Sequence, residues 1–339
     1  MKAVLMTGDK QLQSAACVPV APGPGEVQIE VAYAGICGTD LHIYLGHMNN
    51  RIRLPHVMGH EMSGVVRAVG KGVDSYAPGD NVTVRPLDPC GECDACKRGC
   101  RHICRKLKFL GIETPGAFQS LWTVPAHTLH KLPQSLSLKL GALIEPLAVA
   151  CHDVRLGEVR PGEFAVVLGG GPIGTLIAMV AREAGARVVI SEINPYRIEL
   201  LSELGFETVN PKETDFAAFV EQETQGAGAD VVFEVTSSAA GAALMTQLPR
   251  IRGRIVIVGI FSQPASVDLH RFFWRELRLL GARVYEEEDF EHAIRLADSG
   301  RLPLERIISG IYPLEDAGKG FEEMETGGRA MKILLSCQQ

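Results

Sequence analysis

The sequence predicts an α/β protein, in which a doubly wound parallel sheet follows an irregular, turn-rich β domain. Before about residue 150, short alternating runs such as 27–31 are separated by Pro-Gly turns, which is typical of antiparallel strands. After residue 158, continuous apolar runs alternate with helical segments, which is typical of a parallel sheet covered on both faces. With 339 residues, the chain is long enough to build two cores.

The elements are predicted in chain order from these patterns. The first domain opens on a strand within 1–8. The second domain is predicted to contain strands at 164–168, 188–190, 231–233 and 255–258, and helices at 173–183 and 197–204. A helix near 290–298 and a strand at 331–335 form a tail too short for a domain, which we expect to fold back onto the first one. The predicted domains are therefore 1–148, 149–282 and the returning tail 283–339.

Composition excludes several classes of function. Apolar residues make up 46% and charged residues 22%, which is ordinary for a globular protein. The net charge of −6 predicts neither nucleic acid nor an anionic membrane as a partner. No apolar run approaches the roughly 18 residues of a membrane span. The apolar start of the chain is too short for a signal-peptide core, so a cytoplasmic location is expected.

The cysteines are unevenly distributed, since five of the nine lie within the segment 90–104. Four of them have the spacing C-x-x-C-x-x-C-x7-C, at Cys90, Cys93, Cys96 and Cys104. Four thiolates fill the tetrahedral shell of a zinc ion and leave no open position, so this lobe predicts a structural zinc site. Cys100 is a fifth thiol in the lobe, but its offset and its neighbour Gly99 favour Cys104 as the fourth ligand.

A glycine-rich turn links the strand at 164–168 to the next helix and supplies G-x-G-x-x-G, in the residues Gly169, Gly171, Pro172, Ile173 and Gly174. Such a turn lets a pyrophosphate approach the backbone at a helix N-terminus. Glu192 ends the following strand, where a carboxylate accepts hydrogen bonds from the adenosine ribose and repels a 2′-phosphate. Arg197 can favour NADP, but the position of Glu192 predicts NAD.

A second set of metal-binding residue types is dispersed along the chain, at Cys37, His60, Glu61 and Glu145. Each has an ordinary explanation as a buried thiol, a core histidine or a surface carboxylate. Spacing alone leaves open whether these residues share a metal ion.

Taken together, Cys37-Gly38-Thr39-Asp40-x-His42, Gly59-His60-Glu61, the cysteine lobe and the glycine turn resemble the zinc-containing medium-chain dehydrogenases over essentially the whole chain. The resemblance implies a GroES-like catalytic domain and a Rossmann domain. It makes Cys37 and His60 ligands of a catalytic zinc, with Glu61 a further ligand or a neighbour that exchanges with water. Glu145 stands where simple alcohol dehydrogenases carry cysteine, and Glu-Pro-Leu is similar to the polyol (sorbitol), butanediol and threonine dehydrogenase branch.

The same resemblance implies the chemistry. A secondary hydroxyl of a small polyol, vicinal diol or sugar-derived alcohol is oxidised, and its hydride passes to NAD. Thr39 would take the hydroxyl proton and pass it through the cofactor ribose towards His42, while Asp40 would support the histidine ligand. Two zinc ions per chain, one catalytic and one structural, are expected. The family also implies a homotetramer or a dimer.

Substrate choice stays open at the level of sequence. The segment 37–44 resembles threonine dehydrogenases, whose following Trp-Asp-x-x-Trp stretch is missing, whereas 145–150 is closer to butanediol and polyol enzymes. Ile43 replaces a tyrosine of sorbitol dehydrogenases, and Phe118 is either a pocket wall or core. The alternatives are therefore an L-threonine 3-dehydrogenase and, in another class, a non-catalytic protein that holds the cofactor. The zinc ligands argue against a metal-free quinone reductase.

Overall fold

The computed structural model describes residues 1–338, which form two compact units. The first unit comprises Met1–Glu145 together with the chain from Glu286 onwards, and the second comprises Pro146–Tyr285. The predicted boundaries, after residues 148 and 282, each lie three residues from these. No helix in residues 1–338 is both long and apolar enough to cross a membrane.

The first unit begins with short strands and very short helices. Its strands are β1 (Lys2–Gly8), β2 (Gln11–Ala16), β3 (Glu26–Ile36), β4 (Glu61–Val69), β5 (Asn81–Val84), β6 (Leu87–Asp88), β7 (Lys108–Phe109), β8 (Leu121–Pro125) and β9 (Leu129–Lys131). Its helices in this part are α1 (Gly38–Tyr44), α2 (Asp94–Lys97) and α3 (Leu138–Gly141). The helix α4 (Ile144–Leu156) leads into the second unit.

The second unit alternates strands and helices. They are β10 (Phe164–Leu168), α5 (Pro172–Glu183), β11 (Arg187–Ser191), α6 (Pro195–Glu203), β12 (Glu207–Val209), α7 (Phe216–Glu223), β13 (Ala229–Glu234), α8 (Ala239–Met245), β14 (Pro249–Ile257), α9 (Leu269–Arg275) and β15 (Arg278–Gly281). The strands form a parallel sheet in the order β12-β11-β10-β13-β14-β15. This is the doubly wound order of a dinucleotide-binding fold, so the predicted fold class is confirmed.

The tail contains α10 (Glu287–Asp298), β16 (Ile308–Pro313), α11 (Ala317–Thr326) and β17 (Lys332–Ser336). Strand β17 pairs antiparallel with β3 and parallel with β16, giving a sheet ordered β16-β17-β3-β4-β5-β9 with β8 also on β3. The tail thus completes the sheet of the first unit. Helix α10 begins earlier than predicted because Glu286 and Asp289 form a capping box at its start.

Candidate metal centres and coenzyme loop

The lobe around α2 brings four thiols together. Cys104 Sγ lies 3.4 Å from Cys90 Sγ and 3.8 Å from Cys93 Sγ, and with Cys96 all four sulfurs fall within 4.8 Å of one another. Tetrahedral zinc with Zn–S bonds of about 2.3 Å separates its sulfurs by about 3.8 Å, so the donor set fits this ion. Cys100 lies outside the group, with its Sγ 4.0 Å from the carbonyl oxygen of Arg98.

Backbone N–H groups in the lobe stabilise negative charge on the cysteine sulfurs. The N–H groups of Cys90 and Lys106 donate to Cys104 Sγ at 3.4 and 3.3 Å. Backbone N–H groups, that of Cys96 first, lower the pKa of the Cys93 thiol to about 6. Burial first, and then hydrogen bonds with the thiols of Cys93 and Cys104, raise the pKa of Cys96 to about 12. A dication would stabilise the thiolate form of these side chains, so the lobe is suited to hold one.

A second cluster joins one thiol, one imidazole and one carboxylate. The ligand atoms of Cys37, His60 and Glu61 all lie within 4.8 Å of one another. Cys37 follows β3 and caps α1. His60 immediately precedes β4 and Glu61 begins it, and β4 is the neighbour of β3 in the sheet. His60 and Glu61 are buried and Cys37 is partly exposed. This mixed set with an open side is typical of a catalytic zinc site.

Asp40 holds this cluster in position. Its Oδ2 accepts from the backbone N–H of Cys37 at 2.9 Å, and its Oδ1 accepts from that of Gly59 at 3.3 Å. The same Oδ1 lies 3.5 Å from Nδ1 of His60. Burial lowers the pKa of His60, but the carboxylate of Asp40 and the thiol of Cys37 outweigh it and raise that pKa well above its ordinary value. The acidic groups around His60 therefore favour the binding of a cation at this cluster.

Gly59, which precedes His60 in the chain, is in tight contact with Phe118. Gly59 has a φ of +96°, a conformation that favours glycine, and the Phe118 ring occupies the space that a Cβ at position 59 would need. Phe118 is fully buried and packs edge-on against Phe321 with ring centroids 6.2 Å apart. The sequence predicts Phe118 to be either a pocket wall or a core residue, and its complete burial supports the core assignment.

Glu145 is placed apart from the close cluster. It is buried in the first turn of α4 but does not belong to the group of Cys37, His60 and Glu61. Its charge nevertheless acts on Lys332, whose pKa it helps to raise. Whether Glu145 reaches a metal, directly or through water, stays a prediction.

Lys332 is a site residue that sequence reasoning missed. It lies buried on β17, where its ammonium forms an ion pair with Glu61 and donates to the carbonyl oxygen of Ile36 at 3.2 Å. Burial lowers the pKa of Lys332, but Glu61 and Cys37 outweigh that effect and raise it. The available signal was a lysine inside an otherwise apolar final strand.

The predicted relay residues lie on α1, directly after Cys37. Thr39 is half-buried, and His42 is exposed with its Nδ1 3.3 Å from Nδ1 of His47. Their joint role in proton transfer stays a prediction.

The glycine turn has the geometry that its motif predicts. Gly169 has a φ of +102°, Gly171 caps α5, and Pro172 occupies the first turn of that helix. A Cβ at Gly174 would collide with the carbonyl oxygen of Gly169, so only glycine lets helix and turn pack this closely. Ile173 lies in the same first turn.

Glu192 also shapes this turn, a role that the motif did not reveal. Its carboxylate accepts from the backbone N–H groups of Gly170 at 2.8 Å, Ile193 at 2.7 Å and Asn194 at 2.8 Å. Arg197 Nη1 lies 3.9 Å from Glu192, and within residues 1–338 its buried Nε has no hydrogen-bond partner. An unsatisfied guanidinium nitrogen beside a glycine turn suits a phosphorylated or hydroxylated ligand.

Comparisons with known proteins agree with this geometry. A family model described as alcohol dehydrogenase GroES-like domain matches residues 23–134, and one described as zinc-binding dehydrogenase matches residues 172–299.

Curated relatives extend over nearly the whole chain. A 2-dehydro-3-deoxy-L-galactonate 5-dehydrogenase of Pseudoalteromonas atlantica is 52% identical, covering 99% of each chain. An L-threonine 3-dehydrogenase of Pyrococcus abyssi is 35% identical over 92% of this chain and 89% of its own. Among solved structures, 2R,3R-butanediol dehydrogenase of Bacillus subtilis superposes with a TM-score of 0.91 at 32% identity, covering 99% of each chain.

Proposed function

Because this chain belongs to the zinc-containing medium-chain dehydrogenases, we propose that it oxidises a secondary hydroxyl of a small polyol, vicinal diol or sugar-derived alcohol and reduces NAD. The observation that carries the proposal is the convergence of Cys37, His60 and Glu61 next to Asp40. The cofactors are NAD and two zinc ions per chain, one in the cysteine lobe and one at this cluster.

Among these alcohols, we place a sugar acid first. The 52% identical relative is named for oxidation at carbon 5 of a 2-dehydro-3-deoxy sugar acid, and the match covers 99% of both chains. The second candidate is L-threonine, supported by the 35% identical relative and by Cys37–Tyr44.

In the proposed reaction, residues of this chain remove the proton of the substrate hydroxyl. When bound, zinc supplies a Lewis acid that makes a coordinated hydroxyl more acidic. Cys37, His60 and Glu61 would hold the metal, and Asp40, whose Oδ1 lies 3.5 Å from Nδ1 of His60, would support the histidine ligand. Thr39 would accept the hydroxyl proton while donating its own through the cofactor ribose towards the exposed His42, which would release a proton to solvent.

A substrate panel tests the proposal. NADH formation is measured with 2-dehydro-3-deoxy sugar acids, sugar alcohols, vicinal diols and L-threonine, using protein of known zinc content. We expect the highest kcat/KM with a sugar acid or polyol. Highest activity with L-threonine would support the second candidate, and no turnover with two bound zinc ions and bound NAD would support a non-catalytic protein.

We further propose a homotetramer, or failing that a dimer, in the cytoplasm. A self-association face is supported by the exposed apolar side chains of α9, the helix that precedes β15 in the chain: Leu269, Phe273 and Trp274. Strand β15 ends the described sheet and pairs on one side only. The cytoplasmic location is supported by the nine cysteines, which form no disulfide within residues 1–338, and is tested by cell fractionation.

A further inference from the structure

Lys332 occupies a position where a lysine is costly. Only 3% of the residue is exposed, and it lies on β17 among buried apolar neighbours. A buried ammonium persists where a counter-charge and a hydrogen-bond acceptor compensate the loss of water. Glu61 supplies the counter-charge, and the carbonyl oxygen of Ile36, at 3.2 Å, is the hydrogen-bond acceptor.

The carboxylate of Glu61 is confined between this ammonium and a glycine. Gly35 stands opposite Glu61 in the β3–β4 register, and a Cβ at position 35 would overlap Oε2 of Glu61. Any larger residue would therefore displace the carboxylate from the side on which Lys332 lies.

Lys332 is a buried ion-pair partner of Glu61. Oε2 of Glu61 lies within ion-pair distance of the Lys332 ammonium, and the charge of Glu61 helps to raise the pKa of Lys332. Glu61 also belongs to the cluster with Cys37 and His60, so two cations compete for one carboxylate.

We propose that Lys332 is a positioning residue that competes with the catalytic metal for Glu61 and so keeps one metal position open for substrate. This rests on the proposed function, because it assumes a metal at Cys37, His60 and Glu61. With the Lys332 ammonium present, the Glu61 carboxylate interacts either with that ammonium or with the metal ion. Without it, the buried carboxylate has the metal as its remaining partner and binds it more tightly.

The test is a double-variant cycle on the full-length protein with Co²⁺ at the catalytic site. Lys332→Met is expected to slow chelator-driven release of this ion by about fivefold or more and to change its visible absorption. The double variant Lys332→Met/Glu61→Gln should abolish both effects, since no carboxylate remains to move. Lys332→Arg keeps the charge and should resemble the unmodified protein. Zinc in the cysteine lobe is the internal control.

The proposal would be overturned if folded Lys332→Met protein released Co²⁺ at the unmodified rate with an unchanged absorption spectrum. It would also be overturned if Lys332→Met and Lys332→Met/Glu61→Gln released Co²⁺ at the same rate. Should Lys332→Met fail to fold, Lys332→Gln replaces it in the cycle, because it removes the charge but retains a donor for the carbonyl of Ile36. Neither readout uses substrate, so a wrong substrate assignment leaves this test unaffected.

Discussion

At the residue scale, the two glutamates that the family resemblance assigns to the catalytic metal differ in what surrounds them. Glu61 lies in the close cluster and pairs with Lys332, whereas Glu145 stands in the first turn of α4. Both are buried, so their charges act through a medium that screens them less than water does. Each can therefore influence a metal ion without direct coordination.

Glu145→Ala should lower turnover at least about tenfold, or about 1.4 kcal/mol of transition-state stabilisation, because it removes a buried negative charge that acts on Lys332, the partner of Glu61. NAD affinity and the zinc in the cysteine lobe should barely change. Turnover, NAD affinity and zinc content are measured on one preparation. Glu291→Ala, which removes an exposed carboxylate on α10, is the control. Unchanged turnover with both zinc ions present would mean that Glu145 is only a buried helix residue.

Glu192→Ala, with Arg197 retained, should narrow the preference for NAD over NADP. Each tenfold change in preference corresponds to about 1.4 kcal/mol. Because Glu192 also accepts from the N–H of Gly170, the variant should weaken both cofactors. Glu192→Gln retains an oxygen acceptor without the charge, so it should narrow the preference with a smaller overall loss. Dissociation constants for NADH and NADPH provide the measurement. Faster turnover of the unmodified protein with NADP at low concentration would contradict the assignment.

At the element scale, the cysteine lobe has little apolar core of its own. Helix α2 has four residues, and β6 and β7 have two each. Elements this short cannot hold a stable fold by burial alone, so metal binding contributes directly to their folding.

Cys93→Ser should therefore remove one zinc ion per chain and lower the melting temperature, with little effect on the chemistry of protein that remains folded. Cys100→Ser is the matched control, since the Sγ of Cys100 lies outside the four-sulfur group. Zinc content and thermal melting are measured for both variants. A Cys93→Ser protein that melts like the unmodified one would show that the zinc in this lobe is not structural.

At the scale of the whole molecule, association should depend on the apolar face of α9. Phe273→Ser/Trp274→Ser is expected to shift the proposed oligomer towards smaller species, because it removes two side chains that are 77% and 67% exposed in the single chain. Val18→Ser, at a position 91% exposed elsewhere, is the control. Sedimentation at several concentrations measures the effect. A purely monomeric unmodified protein would exclude the oligomer.

Patterns confined to short stretches of sequence determined most of the fold and much of the candidate site. The glycine turn, the cysteine spacing and the apolar strands of the second unit each depend on neighbours along the chain, so local physics specifies them. Only the tertiary structure decided that Lys332 lies against Glu61, because the final strand pairs with β3 across almost the whole chain. The hydrogen bond from the Gly170 N–H to the Glu192 carboxylate was likewise decided only by the tertiary structure. It forms because the parallel pairing of β10 and β11 brings the ends of these two strands together.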